Sequence, residues 1–430
     1  MKAGAFFPDR QQATFFAMAA DDLPLHFDMD KLTEKQKRDH FEQNQLLAIL
    51  QASLLAISKP ADYVGLFEQF SKPPWSAYMA KHHGMMSTLG MPMVPLDNLI
   101  YAPVDTYYET LAENLPDVPL VTFLMMSRSN QMIHQDQEAI ERMLKLNSKF
   151  HFAENAPAFG LPVPETIIAQ QPVGDDPNVA DFFERHDNQV ILKMTGQPGA
   201  RNVKAVNSLA EVEEFLLDYD ASDPVLVQQR LPLDQYEEWT ADLYIDDTDV
   251  KLDNVRRILV ADGLWIGNHI RYENPLTPAQ EDVLLQVGHY VKQFGFGSDV
   301  GDNMGIDFFI GPEGEVIITE INPRWTAGLF PTQALRRVDR KGQDAVAFFE
   351  LVAADQYDGF LDFVSQYMPG KSDAPFSIMH LGFSPFEIDM EGTPCIYCWL
   401  IVLGDYPAFR EAALQKLGEG GLRNGAKVPL

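Results

Sequence analysis

The stretch that most constrains this chain is GIDFFIGPEGEVIITEINPR, residues 305–324. Two apolar runs flank a Pro-Glu-Gly turn signal, which predicts an antiparallel hairpin. With Glu313 and Gly314 as the two central turn residues, Asp307 lies directly across from Glu320. Opposed residues of an antiparallel pair point to one face with Cβ atoms about 4.5–5.5 Å apart, and the period of two adds Asn322 to that face. Two carboxylates and an amide oxygen converge. Like charges that close repel unless something positive lies between them. Either a divalent cation sits there, or the strand faces solvent with scattered charges. So few hard oxygen donors suit Mg²⁺, which completes its octahedron with water and substrate phosphates, better than a closed Ca²⁺ cage. Arg324, two residues on, would reach the same phosphates.

Upstream, Lys193 ends a predicted strand, QVILKM (189–194), and precedes the loop TGQPGARN. Gly196 and Gly199 in that loop let backbone N–H groups approach phosphate oxygens. Lys149 sits at the end of a predicted helix. Taken alone, each lysine is an ordinary surface residue. Together with a loop between strands and a metal face downstream, they read as a triphosphate site.

At 430 residues the chain exceeds what one hydrophobic core usually supports, so two or three domains sharing a cleft are expected. Lys plus Arg number 33 against 62 Asp plus Glu, a formal net charge of −29. That balance argues against a nucleic-acid or anionic-membrane partner, and an anionic substrate then needs a local basic site. The longest apolar runs, VPLVTFLMM (118–126) and CIYCWLIVL (395–403), fall well short of the ~20 residues of a membrane helix. Pro8, Asp9 and Arg10 interrupt the N-terminal apolar run before a signal-peptide core develops. The expectation is a cytoplasmic protein. Cys395 and Cys398 form C-x-x-C, but Ile396, Tyr397, Trp399 and Leu400 surround them and no second pair exists. Two packed thiols in a buried segment are expected there rather than a redox or metal motif. His82, His83 and His134 read as structural or exposed rather than as ligands.

The elements around these motifs are mostly readable. QNQLLAILQASLLAI (43–57) has helical spacing, and VPLVTFLMMS (118–127) reads as a buried strand. Residues 136–160 predict one or two helices stopped by Gly160, followed by a strand in LPVPETIIAQ. Ser208 and Glu211 have capping-box spacing at the start of a helix, and PVLVQQRL (224–231) is a strand. Residues 236–274 alternate polar and apolar as an antiparallel meander does. Thr277 and Pro278 open a helix that ends at Gly295, and another lies in 406–418.

In this order, over about 136–330, the motifs resemble the ATP-grasp superfamily. The resemblance implies an α/β (α+β) fold in which two α+β subdomains clasp ATP and a flexible loop folds over its phosphates. It divides the chain into an N-terminal pre-ATP-grasp substrate domain (1–135), the ATP-grasp domain (136–330) and a C-terminal extension packing on the core (331–430). The lid subdomain is expected at about 163–228 and the metal-binding subdomain at about 229–330. NSKFHFAENAPAFGLPVPET is similar to the family's first segment, which makes Lys149 a phosphate contact. VILKMTGQPGARNV resembles the strand and phosphate loop, assigning Lys193, Gly196, Gly199 and Arg201 to the phosphates. VLVQQRL is similar to the hinge strand that holds adenine through its backbone, with Gln229 and Leu231 as candidates and Gln228 where a glutamate is common. Glu238, or its neighbour Glu237, would take the ribose hydroxyls. The hairpin implies Asp307, Glu320 and Asn322 as ligands of Mg²⁺ (or Mn²⁺), with Arg324 binding phosphate in the transition state. NPRWTAG resembles the branch that joins amino acids or peptides, which puts Thr326 and Gly328 on the acceptor side.

Most ATP-grasp enzymes are ligases. The resemblance therefore implies that a substrate carboxylate attacks the γ-phosphate of ATP and that an amine then displaces phosphate from the acylphosphate. Lys193 and Arg324 carry the catalysis electrostatically. The partners implied are a small-molecule carboxylate and an amine, with no nucleic acid and no membrane, and a homodimer is compatible. Arg256, Arg257 and Arg271 lie in the meander on the acceptor side; one holds a substrate carboxylate, or each balances nearby acids at the surface. The rival functions are a phosphotransferase on the same fold and a non-catalytic nucleotide-binding module. The complete set of two lysines, three metal donors and an arginine speaks against the second.

Overall fold

The computed structural model describes residues 13–19, 32–118, 120–122, 137–194, 203–217, 219, 223–261, 264–297, 301–418, 422, 423 and 428. Four short parallel strands, β1 (Phe15–Ala17), β2 (Tyr63–Phe67), β3 (Leu99–Ala102) and β4 (Leu120–Thr122), form an N-terminal sheet in the order β3-β2-β1-β4. Helices α1 (Glu34–Ile57), α2 (Trp75–Thr88) and α3 (Tyr107–Glu113) alternate with them, as parallel crossovers require. Thr33 and Gln36 close a capping box at the start of α1. Buried Gln51 then fastens this helix to the sheet, its Nε2 donating to the Met18 carbonyl at 2.6 Å and its Oε1 accepting from Phe67 N–H at 2.9 Å.

Two helices, α4 (Gln137–Leu146) and α5 (Lys149–Asn155), lead into a second unit. The Ser148 side chain caps α5 by accepting from His151 N–H at 3.3 Å. An antiparallel sheet follows, β5 (Thr166–Ala169), β6 (Val190–Lys193), β7 (Val203–Val206) and β8 (Val225–Gln229), in the order β5-β8-β6-β7. Helices α6 (Pro177–Arg185) and α7 (Leu209–Leu216) bring Phe182, Phe183, Val212 and Leu216 onto Val190, Leu192 and Val206. These side chains make a core separate from that of the rest of the molecule. The loop with Gly196, Gly199 and Arg201 lies outside the described residues, as does His134.

The largest sheet has eight antiparallel strands. They are β9 (Glu237–Ile245), β10 (Val250–Ala261), β11 (Leu264–Ile270), β12 (Asp302–Ile310), β13 (Val316–Asn322), β14 (Ala345–Ala353), β15 (Phe376–Met390) and β16 (Thr393–Gly404), in the order β13-β12-β9-β10-β11-β14-β16-β15. Helix α8 (Pro278–Gln293), with a complete Thr277–Gln280 capping box, packs on β9 and β10. The approach is close enough that a Cβ on Gly288 would lie 2.3 Å from Val250 Cγ1. Helices α9 (Leu329–Leu335), α10 (Tyr357–Gln366) and α11 (Tyr406–Leu417) complete this part. The sheet crosses the boundary expected at 330: β14, β15 and β16 continue it rather than packing against a finished domain. Helix α1 lies on β15, where a Cβ on Gly382 would meet the Ile49 carbonyl oxygen at 2.4 Å, so the N-terminal unit shares the main core.

Cys395 and Cys398 are buried and free on β16. Three residues apart on one strand, they point to opposite faces and pack as thiols. His82 is buried against His380, Nδ1 to Nδ1 at 3.0 Å, and His83 Nε2 meets the Val94 carbonyl at 2.9 Å, which accounts for both as structural groups.

Candidate active site

The acidic face is built by three neighbouring strands. β12 runs between β9 and β13, and the register sets Thr240, Asp307 and Glu320 side by side. Asn322 shares their face, and its Nδ2 donates to Asp307 Oδ2 at 3.2 Å. Thr240 also hydrogen-bonds the Asp307 carboxylate. Glu238, two residues before Thr240 on β9, adds a third acid.

The hairpin reaches this register by an unexpected route. Val316 pairs with Ile310, and Gly311 N–H donates to the Glu315 carbonyl at 2.9 Å, so the loop holds three residues, Pro312, Glu313 and Gly314, rather than two. Gly314 takes φ +84°, a conformation open to glycine. That loop alone would set Asp307 against Thr319. A bulge at Thr319 restores the Asp307–Glu320 pairing. The bulged residue also ties the site together: Thr319 Oγ1 donates to the Asp307 carbonyl at 3.1 Å, and the Thr319 carbonyl accepts from Lys193 Nζ at 3.1 Å.

Lys193 thus reaches from the end of β6 in the small sheet to β13 in the large one. Lys149, first residue of α5, places Nζ 3.4 Å from Glu320 Oε2. Burial depresses the Lys193 ammonium to about 8; Glu320 pulls it back up and Lys149 pushes it further down. Burial by itself would raise Glu320, but Lys149, Lys193 and Arg324 together hold it below the usual carboxylate range. Asp307 goes the other way. Burial and then the Glu320 charge push it up to about 6, against Thr240, Arg256 and Arg324. Glu238 rises to about 7, through burial and then Asp307, with Lys193 opposing.

Carboxylates raised against each other in this way gain most from a shared divalent cation. No group of three or more His, Cys, Asp or Glu side chains converges to hold a metal among the described residues. Two carboxylates and one amide leave room for water and phosphate oxygens, which fits Mg²⁺.

Beside this face lies a cavity of about 590 Å³, with Lys149, Lys193 and Glu320 at its polar end and Phe152, Leu161, Val163, Leu226 and Ile318 along its apolar wall. Gln228 and Gln229 also line it, whereas Leu231, Glu238, Asp307, Asn322 and Arg324 lie beyond its lining. Gln228 is held from within the sheet, its Nε2 donating to Thr166 Oγ1 at 2.9 Å. Gln229 N–H is committed to the Glu165 carbonyl at 2.9 Å. Of the two hinge candidates, the Leu231 N–H is the one without a protein acceptor among the described residues.

The acceptor-side candidates sort differently from expectation. Arg256 is 1 % exposed, with Nη1 2.5 Å from Asp242 Oδ2, and it also contacts Asn254 Oδ1. Thr326 Oγ1 donates to the other Asp242 oxygen at 2.7 Å. A Cβ on Gly328 would lie 2.3 Å from Arg256 Cζ, so the guanidinium occupies the space that the glycine leaves. Arg256, Thr326 and Gly328 therefore form a buried polar cluster that anchors the loop after Arg324, and Arg256 offers no open surface to a substrate. Arg257 pairs with Glu237 at 3.4 Å at the surface. Arg271 is exposed over the Trp239 ring at 5.7 Å. Sequence reasoning missed Thr240, Asp242 and Thr319. A signal existed for the first two, since Glu238, Thr240 and Asp242 recur at a spacing of two within EEWTADLYI.

Two α+β units facing each other across a nucleotide-sized cleft, with Lys193 on one, the carboxylate-bearing hairpin on the other and Lys149 beside the hairpin, make up the ATP-grasp fold. Solved structures agree over nearly the whole chain. Phosphoribosylamine–glycine ligase from Thermotoga maritima superposes with a TM-score of 0.55 at 13% identity, covering 96% of this chain and 100% of that one. The biotin carboxylase domain of 2-oxoglutarate carboxylase from Hydrogenobacter thermophilus, in complex with MgADP, ADP and bicarbonate, gives 0.55 at 12% identity, covering 96% and 91%. Carboxyaminoimidazole ribonucleotide synthase from Aspergillus clavatus, complexed with ATP, gives 0.52 at 12% identity, covering 93% and 95%. At these identities the likeness establishes the fold. No family model matches the sequence, and no curated protein matches it. No helix among the described residues is long and apolar enough to cross a membrane.

Proposed function

We propose that this chain is an ATP-dependent ligase that joins a small carboxylate to an amine through an acylphosphate. The observation that carries this reading is the meeting of Lys149, Lys193 and Glu320 at one end of a 590 Å³ cavity, beside Asp307 and Asn322. In the reaction, a carboxylate oxygen attacks the γ-phosphorus and the bond to the β-phosphate bridge breaks, releasing ADP. The amine nitrogen then attacks the acyl carbon, loses a proton and expels phosphate. Lys149 and Lys193 hold the β- and γ-phosphates, and Arg324 stabilises charge on the phosphoryl group as it transfers. Mg²⁺, held by Asp307, Glu320 and Asn322, would neutralise the same oxygens when bound. The apolar wall takes the adenine, with the Leu231 N–H as its hinge donor and Glu238 or Glu237 on the ribose. The structures that share this fold include a phosphoribosylamine–glycine ligase and a biotin carboxylase domain, and this is in keeping with an acyl-transfer reading.

The test is a screen for ADP and phosphate release over amino acids, dipeptides and small carboxylates paired with amines, with mass spectrometry of the products. An amide formed in step with ADP and free phosphate is the expected result. A stable phosphorylated product, or ATP binding with no turnover on any pair, would reject it.

A further inference from the structure

A second cavity, of about 280 Å³, opens where β10, the segment after β11 and the end of α9 meet. Leu252, Val255 and Leu335 give it an apolar floor, and Asp253, Arg271, Glu273, Arg336 and Arg340 give it charge. Asp253 is already matched. Arg336 donates to its Oδ1 at 2.8 Å and to its carbonyl at 2.6 Å, and Gln333 Nε2 donates to its Oδ2 at 3.2 Å. Arg271 and Arg340 have no carboxylate within ion-pair distance among the described residues. Arg340 is half-buried over the Tyr272 ring at 5.4 Å, its Nε donating to the Gln343 carbonyl at 3.1 Å and its Nη2 to the Ile270 carbonyl at 2.8 Å. This geometry leaves Nη1 for a ligand. In a chain of net charge −29, two guanidiniums at one cavity, neither in an ion pair and Arg340 drawn only by the more distant Asp344, suit an anion.

We propose that this cavity is a second ligand site, which takes a small monocarboxylate with a hydrocarbon body. Arg271 and Arg340 hold the carboxylate, and Leu252, Val255 and Leu335 cover the body. Three arginines against Asp253 and Glu273 leave one net positive charge, which a monoanion neutralises and a phosphate dianion over-neutralises. The volume lies below the roughly 300–1,000 Å³ of pockets for drug-sized molecules, so a nucleotide does not fit. Asn254 walls the cavity toward the acidic face, where its Nδ2 donates to Asp242 Oδ2 at 3.0 Å.

Isothermal titration of the full chain with monocarboxylates of two to six carbons, and with inorganic phosphate, tests this assignment. At least one monocarboxylate should bind with 1:1 stoichiometry, and Arg271→Gln and Arg340→Gln should each weaken it by about tenfold or more. Arg271 is exposed, so Arg271→Gln should keep the wild-type circular dichroism and melting curve, and its loss of affinity then reports on the ligand alone. Three results would overturn the site: no monocarboxylate binding, binding that Arg271→Gln leaves unchanged, or phosphate binding as tightly as the best carboxylate.

Discussion

Lys193 and Glu320 stand on different sheets, yet each changes how the other ionises. Under the proposed function, Lys193 meets the phosphates directly and Glu320 reaches them through Mg²⁺. Lys193→Ala and Glu320→Ala should each lower ATP turnover by about 10³-fold or more while leaving circular dichroism unchanged, read as ADP release. Near-normal turnover in either variant would rule out the assignment. Asp307 supplies a pH test. Its folded pKa of about 6 lies above the ordinary carboxylate value, so the proton it binds stabilises the metal-free fold below that ordinary value. This contribution is lost as pH rises through about 6. Mg²⁺ requires the deprotonated form, so its affinity moves the opposite way. Titration calorimetry should find Mg²⁺ binding about fourfold weaker at pH 5.5 than at pH 7.5, with proton release on binding. A flat profile would show that Asp307 is not a ligand.

At the scale of elements, the bulge at Thr319 separates two jobs of one strand. Ile318 already pairs with Phe308, so deleting Thr319 brings Glu320 next in line opposite Asp307 and removes the carbonyl that holds Lys193. Mg²⁺ binding should persist in that deletion variant, while ATP turnover falls by about a hundredfold because the lysine is misplaced. Loss of both together would show that the bulge shapes the metal face as well. The same hairpin shows how far the sequence could be read. Its strands, its turn region and the facing of Asp307 and Glu320 were all legible, but the turn has three residues where two were expected, and the bulge compensated. A bulge adds one residue without changing the polar pattern, so VIITEIN gives no sign of it. The N-terminal strands β1, β3 and β4 have only three or four residues each, too few for a period to emerge. β14 is buried at all nine positions, so it lacks the alternation that marks a half-exposed strand. Arg256, by contrast, looked like any surface arginine, because the Asp242 that buries it comes from the neighbouring strand.

For the whole molecule, the eight-stranded sheet makes the C-terminal hundred residues part of the same structure as the acidic face. A chain ending at residue 335 would expose the β11 edge and strip β15 from α1. It should fail to give a cooperative thermal transition by circular dichroism, and a truncated chain that melts like the full one would show that the two parts fold independently. The small sheet stands apart from this arrangement, because its core shares no side chain with the main one. Parts with separate cores open with separate free energies. Hydrogen exchange should therefore show the amides of β6 and β8 less protected than those of β9 and β12, and equal protection would mean that the chain opens only as a unit. Lys193 rides on the small body and Glu320 on the large one, so under the proposed function the completed site is a population: the fraction of molecules with the lysine in place would cap the turnover that any substrate can obtain.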